Sequence, residues 1–167
     1  GAGTITLGPL TGANNLTISA GGAVTLNNAD IASLDIDSAT TVGFNGNFKT
    51  SGGVTVDTAI TGDITVASTG SIQAGGNVTL DNTAGAGTAD IVLNSNVSTT
   101  GSSTITISAD DAVNIAQSAA ASVSAVNGEI DITSAGAIAL GTGTYVGKIT
   151  TTGAGAIDIN NTDTLTM

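Results

Sequence analysis

The chain of 167 residues contains no cysteine, histidine or tryptophan, and its only basic residues are Lys49 and Lys148, so arginine is absent too. These absences exclude Cys/His metal sites, Ser-His-Asp and Cys-His catalysis, and disulfide bonds. Only two phenylalanines and one tyrosine are present. Because large aromatic side chains usually anchor a compact globular core, the sequence points to a different kind of core.

The balance of charge is strongly acidic, with 13 acidic residues and a net charge of −11. A protein that binds nucleic acid needs a basic face for the phosphates, and a membrane-surface protein needs a polybasic patch, so we expect neither partner. No stretch approaches the ~18 consecutive apolar residues of a membrane span, and we predict no membrane insertion. The chain starts Gly1-Ala2-Gly3 without a signal peptide, from which we expect an excerpt or a processed subunit of a longer array.

Small residues dominate what is present, since Gly, Ala, Ser and Thr account for 93 residues. The 40 residues of Val, Ile, Leu and Phe and the low charge density argue against disorder. These apolar residues follow one repeated sequence pattern, which we call the frame. In the frame, two apolar residues are separated by one outward-facing residue, a turn follows, and then a second pair of apolar residues is spaced in the same way. An example is Leu16-Thr-Ile-Ser-Ala-Gly-Gly-Ala-Val-Thr-Leu26.

The same frame returns along the whole chain, with starts at residues 16, 34, 54, 78, 105, 130 and 157. Each copy is followed by an isolated apolar residue: Ile31, Phe48, Ile72, Val97, Val123 and Val146. Insertions at residues 83–89, 116–122 and 147–155 lengthen the turns without changing the frame. Ile5 and Leu7 match the second half of an earlier, truncated copy.

Alternation over three residues is typical of a very short strand with one buried face, and such strands bury that face only when copies stack. We therefore predict an all-β fold, a right-handed parallel β-helix or β-solenoid of about seven coils. Each coil would hold roughly 18–27 residues and three short strands, within one repeat domain that covers residues 1–167. A β-sandwich is the alternative fold, and residues 109–126 have a helical composition, although a lengthened turn accounts for them.

The frame also predicts which side chains form the core. The expected inward residues are Ile18, Leu26, Ile36, Val56, Val66, Leu80, Leu93, Ile107, Ile115, Ile132 and Leu140.

The pattern apolar-Thr-apolar-Ser-Ala-Gly-Gly-apolar-Thr-apolar resembles the repeats of filamentous haemagglutinin-like exoproteins of bacterial two-partner secretion, and of related β-helical adhesins. The resemblance extends from Ile5 to Met167. It implies a right-handed parallel β-helix within a long secreted or surface filament. The secretion domain of that family is not recognisable here, and no receptor site can be transferred, because the repeats of such proteins act as scaffold.

Asp37, Asp57 and Asp81 each follow the first strand of successive predicted coils, and they form a candidate calcium site. Stacked carboxylates repel one another, and a hard cation would relieve that repulsion. However, Asp is a favoured turn residue, and neither a GGxGxD repeat nor EF-hand spacing appears, so we assign no metal site.

The Thr-rich strands raise the possibility of an ice-binding face. The outward column of the second strand reads Thr25, Gly43, Thr65, Val92, Asn114, Ala139 and Thr166. That column is too broken for a flat hydroxyl array, and β-propensity explains the threonines.

Carbohydrate lyases and hydrolases, which also use parallel β-helices, are the enzyme alternative. They need a strong base or paired carboxylates in an aromatic-lined cleft. The only adjacent acids are Asp110 and Asp111 at a predicted turn, and Tyr145 is the single tyrosine. We therefore predict no enzyme, no catalytic residue and no cofactor.

Two functions remain open at this point. The first is a stalk segment of a bacterial secreted or cell-surface adhesin, with neighbouring repeats as partners and host-surface or biofilm components as ligands. The second is a self-assembling filament or surface-layer subunit. Since the ends lack a capping helix, its open coils would stack on other copies.

Overall fold

The computed structural model describes residues 3–84, 87–141, 147–152, 157–161 and 165–166. Within these residues the only regular structure is β-strand, and the strands form three sheets in which every pairing is parallel. Each strand pairs with the strands three positions away along the chain. This arrangement is a parallel β-solenoid with three strands per coil, and it rules out the β-sandwich.

The three sheets are the three faces of the solenoid. Sheet A contains β1 Ile5–Leu7, β4 Val24–Leu26, β7 Val42–Phe44, β10 Ile64–Val66, β13 Ile91–Leu93, β16 Val113–Ile115, β19 Ile138–Leu140 and β22 Leu165–Thr166. Sheet B contains β2 Leu10–Thr11, β5 Ala29–Ile31, β8 Asn47–Thr50, β11 Ser71–Ala74, β14 Val97–Thr99, β17 Ser122–Val126 and β20 Lys148–Thr152. Sheet C contains β3 Asn15–Ser19, β6 Ser33–Ala39, β9 Val54–Ile60, β12 Val78–Asp81, β15 Ile105–Ala109, β18 Ile130–Ser134 and β21 Ile157–Asn161.

The predicted number of seven coils is slightly too high. In the described part of the chain, the strands from β3 to β20 make six complete coils. The seventh start, β21, continues only into β22, and β1 and β2 form an incomplete coil at the other end. The prediction counted the strand that begins each repeat, and the last of these, β21, is not followed by the two further strands of a complete coil in the described residues.

The predicted repeat starts are confirmed by the register of sheet C. Its first inward residues pair in succession along the column Leu16, Leu34, Val54, Val78, Ile105, Ile130 and Ile157. Because the pairing never slips at these positions, coils of different length share one axis. The insertions are absorbed in turns, as between β12 and β13 and between β16 and β17, and residues 109–126 form strands rather than a helix.

The core is one continuous column of aliphatic side chains between the three sheets. Ten of the eleven predicted inward residues are buried, and Leu140 is only partly buried. Leu140 is the last residue of β19, and among the described residues β22 pairs with β19 at Ile138 and Ala139. At one corner Phe44 and Phe48 meet edge to face, with ring centroids 5.5 Å apart.

The third strand of the coil was predicted less well. Of the apolar residues that follow each copy of the frame, four pair in one column: Phe48, Ile72, Val97 and Val123. Ile31 lies outside this column, because Ala29 pairs with Phe48 and Ile31 pairs with Thr50. Val146 lies outside the described residues, and Ile149 instead pairs with Val123. The predicted turn at 147–155 therefore contains strand β20.

Candidate functional site

In the aspartate column, only Asp81 lies where the first strand of its coil ends. Asp37 and Asp57 lie within β6 and β9, so the prediction that they follow the strand is wrong, because both strands continue for two or three more residues. Ile36, Val56 and Leu80 are paired across three coils, and Asp37, Asp57 and Asp81 follow them directly. Beyond this point the register of β6 and β9 shifts, since Ser38 pairs with Ala59. One residue of β6 thus faces two of β9, a β-bulge that interrupts the ladder at the column itself.

Asp81 shows what a carboxylate does at this corner. Its Oδ1 accepts hydrogen bonds from the backbone N–H of Thr83 at 2.8 Å and from the Thr83 hydroxyl at 2.7 Å. This Asx-type arrangement closes the turn after β12. In the described part of the chain, no group of three or more acidic side chains is arranged to hold a metal ion. These contacts favour the turn interpretation for Asp81, whereas Asp37 and Asp57 lie within strands.

We predict that calcium does not bind tightly to the aspartate column. Six to eight oxygen ligands are usual for calcium, and the Asp81 carboxylate is already engaged by Thr83. Calorimetric titration with calcium at low ionic strength should give no saturable signal. Binding tighter than ~10 µM that disappears in Asp57→Asn would contradict this prediction.

A second acidic corner, which the sequence analysis did not identify, lies where the chain enters two strands of sheet A, β10 and β13. Asp63 and Asp90 immediately precede Ile64 and Ile91, which pair in neighbouring coils. The backbone N–H of Asp90 donates to Asp63 Oδ1 at 3.0 Å, and the N–H of Ala112 donates to Asp90 Oδ1 at 3.0 Å. The side chains therefore link three successive coils. This corner could have been predicted from the sequence, because an aspartate directly precedes the first inward residue of both β10 and β13.

Partial burial raises the pKa of the Asp90 carboxyl above its ordinary value, and the nearby charges of Asp111 and Asp63 raise it further. The hydrogen bond from Ala112 opposes these effects without cancelling them. The native state consequently holds the Asp90 proton more tightly than the unfolded chain does. Ionised Asp90 thus reduces stability at neutral pH, and the penalty fades as the pH falls through the raised native value.

Asp90→Asn should therefore be more stable than the parent protein at neutral pH. The difference should shrink as the pH approaches the ordinary carboxyl value of 3.8, below which both states carry a protonated Asp90. Thermal unfolding followed by circular dichroism at a series of pH values measures this gap. A gap that stays constant across the series, or that widens in acid, would contradict the assignment.

Asn82, also missed from the sequence, is a fully buried polar side chain beside this corner. Its Nδ2 donates to the carbonyl oxygens of Asp90 at 3.0 Å and Gly62 at 3.3 Å, and its Oδ1 accepts from the N–H of Asp110 at 3.2 Å. A buried amide with its donors and acceptor matched is a structural connector between coils. The long loop after β12 is held in place by it.

The adjacent acids Asp110 and Asp111 take part in the same construction. The carboxylate of Asp110 accepts a hydrogen bond from the backbone N–H of Gly87, and the N–H of Asp111 donates to the carbonyl of Ala89 at 3.0 Å. The Asp111 carbonyl accepts from the N–H of Gly136 at 2.7 Å. Asp110 thus ties this turn to the preceding coil, and Asp111 ties it to the coils on either side.

The outer faces carry mixed small and polar side chains. The predicted column of the second strand is confirmed in register from Thr25 to Thr166, and it is interrupted by Gly43, Val92 and Ala139. On sheet B, Lys49 Nζ lies 3.4 Å from Asp30 Oδ2, and both side chains are largely exposed. An exposed pair of this kind contributes little to stability.

The described residues form no pocket, and among them no helix is long and apolar enough to cross a membrane. Comparison of the chain with protein-family models, with curated proteins and with solved structures finds no significant match.

Proposed function

We propose that this protein is a non-enzymatic structural segment, a rigid stalk within a bacterial secreted or cell-surface adhesin. The observation that carries the proposal is the unbroken core. Inward residues such as Val56, Leu80, Ile107 and Ile132 are 0% exposed in coil after coil. Because every coil packs only on its neighbours, such a structure supplies length and stiffness in proportion to the number of coils.

The polar side chains support the same proposal. Asn82, Asp90 and Asp110 would be the natural candidates for chemistry, but they are engaged in hydrogen bonds that join one coil to the next. A group that acts on a substrate needs an accessible reacting position beside it. The contacts of these residues are those of a scaffold.

We further propose that the solenoid is right-handed. In this arrangement its partners are neighbouring repeats, end to end. Ligands on a host surface or in a biofilm would bind to other parts of the assembly or to the outer faces of the solenoid. The net charge of −11 keeps such a surface away from nucleic acid.

The enzyme alternative is tested by incubating the protein with acidic and neutral polysaccharides and measuring reducing ends and unsaturated products. We expect no turnover. The matched variant is Asp110→Asn, because Asp110 belongs to the adjacent acid pair. Cleavage by the parent protein that is lost in Asp110→Asn would overturn the scaffold proposal.

A self-assembling filament or surface-layer subunit is the second candidate. Ile157 continues the buried column of Val78, Ile105 and Ile130, yet 45% of its surface is exposed. A further coil stacked on β21, from another copy, would cover it. Sedimentation velocity over a range of concentrations, with the intact mass of the native protein, tests this candidate. Assembly that Ile157→Asp prevents would favour the filament, and a concentration-independent monomer would favour the stalk.

A further inference from the structure

The chain contains two Asn-Gly dipeptides, Asn45-Gly46 and Asn127-Gly128, and both asparagines are exposed. Asn-Gly is the sequence in which an asparagine most readily loses its amide, since glycine has no side chain to hinder attack by its own nitrogen. Asparagine is accordingly counted among the thermolabile residues of proteins. From sequence alone the two dipeptides would react alike.

Hydrogen bonds to both neighbouring coils fix the first dipeptide. The N–H of Asn45 donates to the carbonyl of Leu26 at 2.8 Å, and the carbonyl of Asn45 accepts from the Thr69 hydroxyl at 3.0 Å. The carbonyl of Gly46 accepts from the N–H of Ser71 at 3.2 Å. Any rotation of this backbone must break contacts to the coil before it and the coil after it.

The second dipeptide is held differently. It lies in the turn between β17 and β18, and Asn127 has a φ of 55°, in the left-handed region that is sparsely populated by residues other than glycine. Among the described residues, none donates a hydrogen bond to Asn127 or Gly128 or accepts one from them. Leaving this conformation therefore breaks no hydrogen bond to the described coils.

The two sites do not differ in how closely the glycine packs against its surroundings. A Cβ on Gly46 would lie 2.6 Å from the backbone nitrogen of Asn28, and a Cβ on Gly128 would clash with the carbonyl oxygen of Ser103. Both glycines thus lie directly on the preceding coil. Within the described part of the chain, the sites differ in the hydrogen bonds that restrain the asparagine and the glycine carbonyl.

We propose that Asn127 is a site of spontaneous deamidation in the folded protein and that Asn45 is protected. The backbone nitrogen of Gly128 attacks Cγ of Asn127, a new N–Cγ bond forms, the Cγ–Nδ2 bond breaks, and ammonia leaves. Water then opens the resulting cyclic imide at one of its two carbonyls, which gives aspartate or isoaspartate. No electrons are transferred, and water is the only co-reactant. The product adds one negative charge to a turn that also carries Glu129.

The two lysines make the experiment simple, because cleavage after Lys49 and Lys148 puts Asn45 on fragment 1–49 and Asn127 on fragment 50–148. The folded protein is aged in mildly alkaline buffer, then unfolded, cleaved and analysed by mass spectrometry with fragmentation to locate the modified residue. A second sample is aged in concentrated denaturant. In the folded sample we expect conversion of Asn127 to exceed that of Asn45 by about tenfold or more. In denaturant the two rates should be similar.

Variants provide the matched controls. Asn127→Gln should abolish the change in fragment 50–148, and Asn45→Gln should leave it as in the parent protein. Similar rates at both sites in the folded protein, faster reaction at Asn45, or no reaction at Asn127 while the denatured chain is converted would each overturn the proposal.

Discussion

Ile107→Asp should destabilise the protein by more than ~4 kcal/mol, because the new carboxylate would be buried without a partner. Ile107 is 0% exposed and pairs with Leu80 in the preceding coil and Ile132 in the following one. The charge would thus be placed between apolar side chains on both sides along the axis. Thermal unfolding by circular dichroism measures the effect, and at ~2–4 °C per kcal/mol we expect a melting temperature lowered by about 10 °C or more.

Thr79→Asp is the matched control for this substitution. Thr79 points outward from β12, one residue before Leu80, and its paired neighbours Thr55 and Thr106 carry no charge. The same charge on the outer face should change stability by no more than ~0.5 kcal/mol. If Ile107→Asp and Thr79→Asp melted at similar temperatures, the inward and outward assignment of sheet C would be wrong.

The register of sheets A and C can be predicted from the sequence because each of their described strands except β22 contains two apolar residues separated by one outward residue. Val78-Thr79-Leu80 has only one phase in which both apolar side chains are buried. A shift by one residue would place both of them in water, so register follows from the pattern. The recurrence of the frame then identifies the partner strand, which is why the pairing of Val54, Val78 and Ile105 could be predicted.

Sheet B is less predictable because its strands bury small or polar side chains beside the apolar ones. In β8 the inward residues are Phe48 and Thr50, and both are buried. Thr50 is accommodated because its hydroxyl donates to the carbonyl of Gly52 at 2.8 Å. Alanine and threonine give no clear inward signal, so the sequence could not show whether Ala29 or Ile31 pairs with Phe48.

The polar corners depend on contacts that a one-dimensional pattern does not contain. Asp63 and Asp90 are 27 residues apart, and they meet only because the loop after β12 returns the chain to the start of sheet A. The bulge at Asp37 likewise adds one residue to β9 with no marker in the sequence. The frame predicted that the aspartates of the candidate calcium column follow paired inward residues, but neither the continuation of β6 and β9 past Asp37 and Asp57 nor the bulge was foreseen.

The Asn82→Asp substitution should destabilise the protein by about 3 kcal/mol at neutral pH, although it changes only one side-chain atom. The two hydrogen bonds that Nδ2 donates to Asp90 and Gly62 would be replaced by an oxygen that faces two carbonyl oxygens. Burial would disfavour the charged form of the new carboxyl, so the variant would regain part of its stability in acid. Thermal unfolding at neutral and acidic pH measures both effects.

Asn96→Asp is the control that separates the loss of donors from the mere addition of a carboxylate. Asn96 is exposed, and its Oδ1 accepts hydrogen bonds from the N–H of Ser122 at 3.1 Å and from its hydroxyl at 3.0 Å. A carboxylate can accept both, so Asn96→Asp should change stability by no more than ~0.5 kcal/mol. Equal losses in the two variants would mean that Asn82 does not hold the loop through its amide donors. A large loss confined to Asn82→Asp would identify this buried amide as the connection that lets a long loop interrupt the coil without breaking the solenoid.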